Sequence, residues 1–290
     1  MTRPMALPHV TLCSPASLSG AALFSATPCT ITIHPAPAST GIRFRLRGDE
    51  ALAHIASLST DPIHPAFASM APRCTCLRTP NGQIGTVEHV LSALIGLGIT
   101  DAILEIDAPE LPILDGSSLP FVQAIRAAGL ESLGGSVEPL LPPRPLRVES
   151  EDGSAFIEFE PGDTPSYSYE LDYGIASPIP ASTVVWSGDP DEYERDVAPA
   201  RTFCLESEGE AMRRLGLFEH LTTSDMLVIG PRGPIDNALR FPDEPARHKL
   251  LDLIGDLSLV GRPICASIRA VRSGHALNHI AARALLNSMK

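Results

Sequence analysis

In the stretch RHKLLDLIGDL, His248, Asp252 and Asp256 stand four residues apart. Leu250, Leu251, Leu253, Ile254 and Leu257 predict an apolar helix. A spacing of four stacks the imidazole and both carboxylates on one face, one turn above another. A helical His-x-x-x-Asp pair can offer two ligands to one divalent cation. The same spacing also suits a solvated face or a local hydrogen bond, for which the modest energies of such pairs suffice.

Two further segments hold matching chemistry. In TVEH, Glu88 and His89 fall in the first turn of another predicted helix. The helix dipole there favours an ionised carboxylate and a neutral imidazole. Neutral imidazole is the metal-binding form, and a glutamate beside a ligating histidine can act as base toward metal-activated water. The plainer alternative is an acidic first turn that steadies its helix. In SGHALNH, His275 opens the last predicted helix, where it can serve as general acid or electrostatic stabiliser. Asp256 can orient it. A helix-capping histidine is the alternative, and His279, one turn on, competes for the same role. Cys74-Thr75-Cys76 offers a thiol pair, but no second pair follows to complete a zinc site.

The composition limits the function classes. The chain has 290 residues, enough for one large domain or two medium ones, and a formal net charge of -12. That charge removes the electrostatic case for nucleic acid and does not favour anionic membranes overall. The six cysteines are scattered, as reduced cytosolic thiols are. Prolines and polar residues interrupt MTRPMALPHVTLCSPASLSG, so no secretory signal is expected. The most apolar run, VLSALIGLGITDAILEI, contains Asp101 and reads as helix then strand, not as a membrane span.

Several elements can be placed around these residues. TPCTITIHPA and GIRFRLRG read as strands. GTVEHVLSALIGLG reads as a helix with Thr86 as N-cap, ended by Gly96 and Gly98. DAILEID follows as a strand and SSLPFVQAIRAAGL as a helix closing at Gly129. GGSVEPLLPPRPLRVES is the expected linker, with a boundary within 135–145. SAFIEFE and SYSYELDYG alternate as strands, and a polar, proline-rich stretch leads to APARTF. ESEGEAMRRLGLF is helix-like and DMLVIG strand-like. After the His248 helix come the strand RPICASIRAVRS and the helix GHALNHIAARALLNS. In each half a histidine sits near a helix start, a glycine ends the helix and a strand follows (His89, Gly98, AILEI; His248, Gly261, ICASI). Related halves could meet with both histidines at one interface, and chance similarity is the alternative.

Taken in order, CTCL, TVEHVLSALIGLGI, APELPILDGSSLPFV, ARTF, LRFPDEPARHKLLDLIGDL and SGHALNH resemble the UDP-3-O-acyl-N-acetylglucosamine deacetylases. These are zinc amidases of lipid A biosynthesis in Gram-negative bacteria, and the resemblance runs over nearly the whole chain. It implies an α+β fold of two related domains, each a sheet layered against two helices, with the site between them. The expected domains are 1–137, with an insert near 61–77, and 138–290, with an insert near 204–237. In the family the inserts shape a hydrophobic passage for the acyl chain.

The resemblance implies His89, His248 and Asp252 as zinc ligands, with Fe2+ able to occupy the same set. Glu88 matches the general base, His275 the cationic histidine and Asp256 its carboxylate partner. Thr202 matches the hydroxyl beside the oxyanion, and Phe203 and Lys249 match substrate contacts. The implied substrate is a UDP-linked, acylated N-acetylglucosamine. A cytoplasmic monomer without a transmembrane segment is expected, with room for peripheral contact at the inner membrane. Three features depart from the family pattern. ALFSA places Phe24 where a histidine is usual, Pro245 replaces an aromatic, and LGLFEHLTTSDMLVIG differs from the usual Gly/Ser-rich form. The competing readings are a zinc amidase for another acetylated compound, a binding protein that has lost turnover, and a structural protein with a buried polar cluster.

Overall fold

The structure, a computed structural model, describes residues 6–290. The expected start of the first domain, and the first five residues of the stretch read for a secretory signal, lie outside the described residues.

Period-two burial makes the strands. In PCTITIHP the buried residues are Cys29, Ile31 and Ile33, and in SYSYEL they are Tyr167, Tyr169 and Leu171. The first half runs β1 (Leu7–Leu12), β2 (Ala16–Ala21), β3 (Pro28–Pro35), β4 (Ile42–Leu46), β5 (Asp49–Leu52), β6 (Leu77–Thr79), β7 (Gly82–Ile84), α1 (Glu88–Gly96), β8 (Ala102–Ile106), α2 (Leu119–Ala128) and β9 (Leu130–Val137). The second half runs β10 (Leu146–Glu149), β11 (Phe156–Pro161), β12 (Ser166–Leu171), β13 (Ser182–Trp186) and α3 (Pro190–Glu192), which continues as a π turn over Tyr193–Val197. Then come β14 (Phe203–Leu205), α4 (Glu206–Arg214), β15 (Leu227–Gly230), β16 (Gly233–Pro234), α5 (Glu244–Leu257), β17 (Ala266–Val271) and α6 (His275–Ser288).

Two five-stranded sheets share one topology. Their orders are β2-β3-β8-β4-β5 and β10-β11-β17-β12-β13. In each, the last strand enters the centre, parallel to one neighbour (β8 to β4, β17 to β12) and antiparallel to the other. Both halves follow the scheme of four strands, an insert, a helix, the central strand and a second helix. The fold is therefore α+β with two related halves, and the short echo in the sequence extends to whole sheets.

Helices α1 and α5 meet at the middle of the molecule. Nearly all of α1 is buried, as is α5 from Leu250 to Leu257. A helix wrapped in protein on all sides is apolar all round, which explains the leucines around His248, Asp252 and Asp256.

Some local expectations fail for identifiable reasons. Thr86 does not cap α1. Its φ is 60°, the residue at the N-cap position is Val87, and no side chain caps this end. The Thr86 hydroxyl instead faces Glu110, at 3.5 Å. The glycine-rich start of the expected linker forms the end of β9, paired with β1 through a register shift between Pro8 and His9. β13 lies within the stretch read as polar and proline-rich. Pro245 is accommodated in the first turn of α5, where its missing N–H has no helical partner to lose.

Candidate active site

Three helices and one loop build the site. α1 presents Glu88 and His89 from its first turn, and α5 presents His248 and Asp252 from successive turns. The ligand atoms of His89, His248 and Asp252 lie within 4.8 Å of one another, and all three residues are buried. Asp252 Oδ1 is 3.7 Å from His89 Nε2 and 3.4 Å from His248 Nε2. The two imidazoles stand at 86° with centroids 5.1 Å apart.

The surroundings of both histidines favour the neutral, metal-binding form. Burial pushes the His89 imidazole down and that of His248 down to about 3. The Ala200 carbonyl accepts a hydrogen bond from His248 Nδ1 (3.1 Å), so the proton sits there and Nε2 is bare. Burial opposes the charge of Asp252, but His248 and Lys249 hold its carboxyl below the usual range. Two neutral imidazoles and one ionised carboxylate are a donor set suited to a divalent metal with an open position.

Around these three residues lies a second layer. Thr75 N–H donates to Glu88 Oε2 (3.0 Å). Burial raises the Glu88 carboxyl to about 8, against the pull of His275 and against the ionised form expected from the helix dipole. His275 Nδ1 donates to Asp256 Oδ2 (2.8 Å), and Asn278 Nδ2 donates to the same oxygen (2.8 Å). Burial disfavours the imidazolium, but Asp256 holds His275 up at about 9. The Thr75 hydroxyl donates to Asp256 Oδ1 and accepts from His279 Nε2 (2.8 Å). His279 thus fixes Thr75, whereas His275 faces the cleft, with Nε2 4.0 Å from Asp252.

The APARTF loop is fastened to α5. Arg201 donates through Nε (2.8 Å) and Nη2 (3.1 Å) to the two oxygens of buried Glu244. Thr202 N–H donates to the Gly116 carbonyl (2.7 Å), and Phe203 packs edge-on to His248. Thr202, Phe203 and Lys249 all line the cleft with Glu88, His89 and His275. Lys249, read as a phosphate contact, has its Nζ 2.7 Å from Asp252 Oδ2 and 5.5 Å from the Phe203 ring centroid.

All nine residues singled out in the sequence therefore belong to one locality. Sequence reasoning missed Thr75, Asn278, Glu110 and the Arg201–Glu244 pair. Glu110 accepts from the backbone N–H groups of Phe24 (2.7 Å) and Ser25 (2.8 Å), fixing the loop beside the cleft. All five lie within the quoted motifs (Thr75 in CTCL, Glu110 in APELP, Arg201 in ARTF, Glu244 in FPDEPARHK and Asn278 in SGHALNH), although no spacing rule pointed to them.

A buried two-histidine, one-carboxylate cluster with a glutamate next to it in the chain is the donor arrangement that metal-dependent hydrolases use. The sequence profile of one family, UDP-3-O-acyl N-acetylglycosamine deacetylase (LpxC), matches residues 9–287. The UDP-3-O-acyl-N-acetylglucosamine deacetylase of Anaeromyxobacter dehalogenans (strain 2CP-C) is 37% identical over 93% of this chain and 84% of its own. The protein of the same name from Synechocystis sp. is 36% identical over 92% and 95%, and that of Myxococcus xanthus 34% over 98% and 88%. The chain belongs to this deacetylase family.

Proposed function

We propose that this protein hydrolyses the N-acetyl group of UDP-3-O-acyl-N-acetylglucosamine. The products are acetate and UDP-3-O-acyl-glucosamine, in a step of lipid A biosynthesis. The observation that carries the reading is the meeting of Glu88 and His89 with His248 and Asp252 across the α1–α5 contact. His89, His248 and Asp252 would hold Zn2+, with Fe2+ as the alternative occupant; when bound, the ion activates water and polarises the acetamide carbonyl.

The chain's own residues then divide the work. Glu88 accepts the proton of the attacking water. The Thr202 hydroxyl and the His275 cation face the developing oxyanion. Proton return to the departing amine falls to Glu88 or to His275, both of which line the cleft. Asp256 keeps His275 charged, and Thr75 keeps Glu88 and Asp256 in place. Phe203 offers the sugar an apolar face, and Lys249 neutralises substrate phosphate once it exchanges its contact with Asp252.

Among the described residues no helix is long and apolar enough to cross a membrane. We place the protein in the cytoplasm as a monomer, with peripheral contact at the inner membrane where an acylated product would leave. We divide the chain into domains 1–137 and 138–290, with inserts near 61–77 and 204–237. The deciding experiment is acetate release from the acylated sugar nucleotide by protein stripped of metal and reloaded with zinc. Equal turnover of the unacylated sugar nucleotide would favour a different amidase.

A further inference from the structure

The apolar side of the catalytic cleft is built differently from its polar side. Leu23, Phe24, Phe218 and Met226 line it, facing the side of Glu88 and His275. They belong to a second apolar cluster, separate from the main core, in which Phe67, Cys74 and Cys76 from the segment before β6 meet Met212 and Leu217 from the segment after β14. Phe24 is its hinge. Its ring packs edge-on to Phe67 with centroids 5.3 Å apart, and lies 5.8 Å from Phe218. Phe24 is 6% exposed although it borders an open cleft.

Glu110 and His220 fix this wall in place, and the backbone of Phe218 is held in an unusual conformation within it. Glu110 clamps the backbone N–H groups of Phe24 and Ser25. His220 Nε2 donates to the Ala22 carbonyl (2.9 Å), tying the second insert to the same loop. Phe218 holds a φ of 62°, a conformation a bulky residue adopts only when its surroundings impose it. Behind the wall Phe67, Cys74 and Cys76 border a separate cavity of about 110 Å³, whereas the catalytic cleft holds about 240 Å³. Pro72 and Arg73 border both. The Phe24–Phe67 contact thus lies between the two cavities, with Phe24 on the cleft side and Phe67 on the other.

The family's substrate carries a 3-O-acyl group, an alkyl chain that needs an apolar wall to leave water. We propose that Phe24, stacked between Phe67 and Phe218, closes the apolar end of the cleft and limits the length of the acyl chain that this enzyme accepts. This rests on the deacetylase reading. A chain short enough to end at the Phe24–Phe218 wall binds without moving it. A longer one must unstack the aromatics and break contacts held by Glu110 and His220. Trimming Phe24 extends that end of the cleft toward Phe67 and relaxes the restriction.

The test uses zinc-loaded protein and two substrates, UDP-3-O-decanoyl- and UDP-3-O-hexadecanoyl-N-acetylglucosamine, with kcat/KM measured for each. The wild type should prefer the decanoyl substrate. Phe24→Ala should raise the hexadecanoyl-to-decanoyl ratio of kcat/KM by about tenfold or more, within the range that pocket size alone controls. Phe24→Leu, which keeps most of the packing, serves if the alanine variant does not fold, and should move the ratio the same way by less. A wild type indifferent to chain length, or variants that lose both activities in equal proportion, would overturn the proposal while leaving the deacetylase reading intact. A wild type inactive on both substrates would overturn the deacetylase reading and this proposal with it.

Discussion

Gly255 of α5 lies directly against the backbone of Glu88 in α1. A Cβ on Gly255 would come within 2.2 Å of the Glu88 carbonyl oxygen and 3.1 Å of its Cα. The two helices that carry the site touch at the residue assigned as base, and backbone cannot turn aside as a flexible side chain can. Ala is the better helix former by about 1 kcal/mol, yet overpacking a filled contact costs about 1–3 kcal/mol, so the clash wins. Gly255→Ala should lower Tm and cut kcat/KM by about a hundredfold, because α1 and α5 must part and the reacting groups lose alignment. Thermal unfolding and acetate release measure both. An alanine variant with wild-type turnover would show that the helices need not approach so closely.

Glu88→Gln keeps the shape of the side chain and its acceptor for Thr75 N–H. The variant should fold, retain its metal by elemental analysis, and lose turnover by about 10²- to 10⁴-fold, the usual contribution of a positioned acid–base group. Retention of most activity would remove Glu88 from the role of base.

Asp256 favours the charged form of His275 near neutral pH by holding its imidazole up at about 9. With Asp256 ionised, His275 is protonated below about 9 and loses its proton as pH rises through that value. Burial alone drives a histidine the other way. Asp256→Asn removes the opposing charge, so His275 should titrate at lower pH and the alkaline limb of the kcat profile should move toward acid. His275→Ala should slow turnover at every pH and abolish that limb without emptying the metal site. An alkaline limb unmoved by Asp256→Asn would mean that another group governs it.

The residues of the proposed metal site stood out in the sequence because helices impose a short period, and the family resemblance gave them their roles. His248, Asp252 and Asp256 announce themselves four apart, and Glu88 and His89 occupy a first turn. The strands with clean alternation, such as PCTITIHP and SYSYEL, were equally plain. What was hidden depends on distance along the chain. Thr75 meets Asp256 across 181 residues, and Arg201 meets Glu244 across 43. β9 was masked because glycines signal a turn locally, whereas pairing with β1 supplies the order. Thr86 looked like an N-cap by type and place, but the tertiary contact with Glu110 takes its hydroxyl. Lys249 was legible as a cation, and its pairing with Asp252 was not.

Metal binding separates the ligands from the groups around them. His248→Ala removes one of three donors and leaves the Ala200 carbonyl without its partner, at a cost of about 1–3 kcal/mol for the orphaned group. The main core, built around α1, α5 and both sheets, does not depend on that contact, so the variant should remain folded by circular dichroism. Zinc supplied at a hundred times its dissociation constant should stabilise the stripped wild type by about 2.7 kcal/mol, seen as a rise in Tm. The same zinc should leave the Tm of His248→Ala nearly unchanged. Glu88→Gln, which touches no metal donor, should respond to zinc as the wild type does. This pattern distinguishes a ligand from a base without reference to turnover. A zinc-dependent rise in Tm that survives His248→Ala would place the metal elsewhere in the chain.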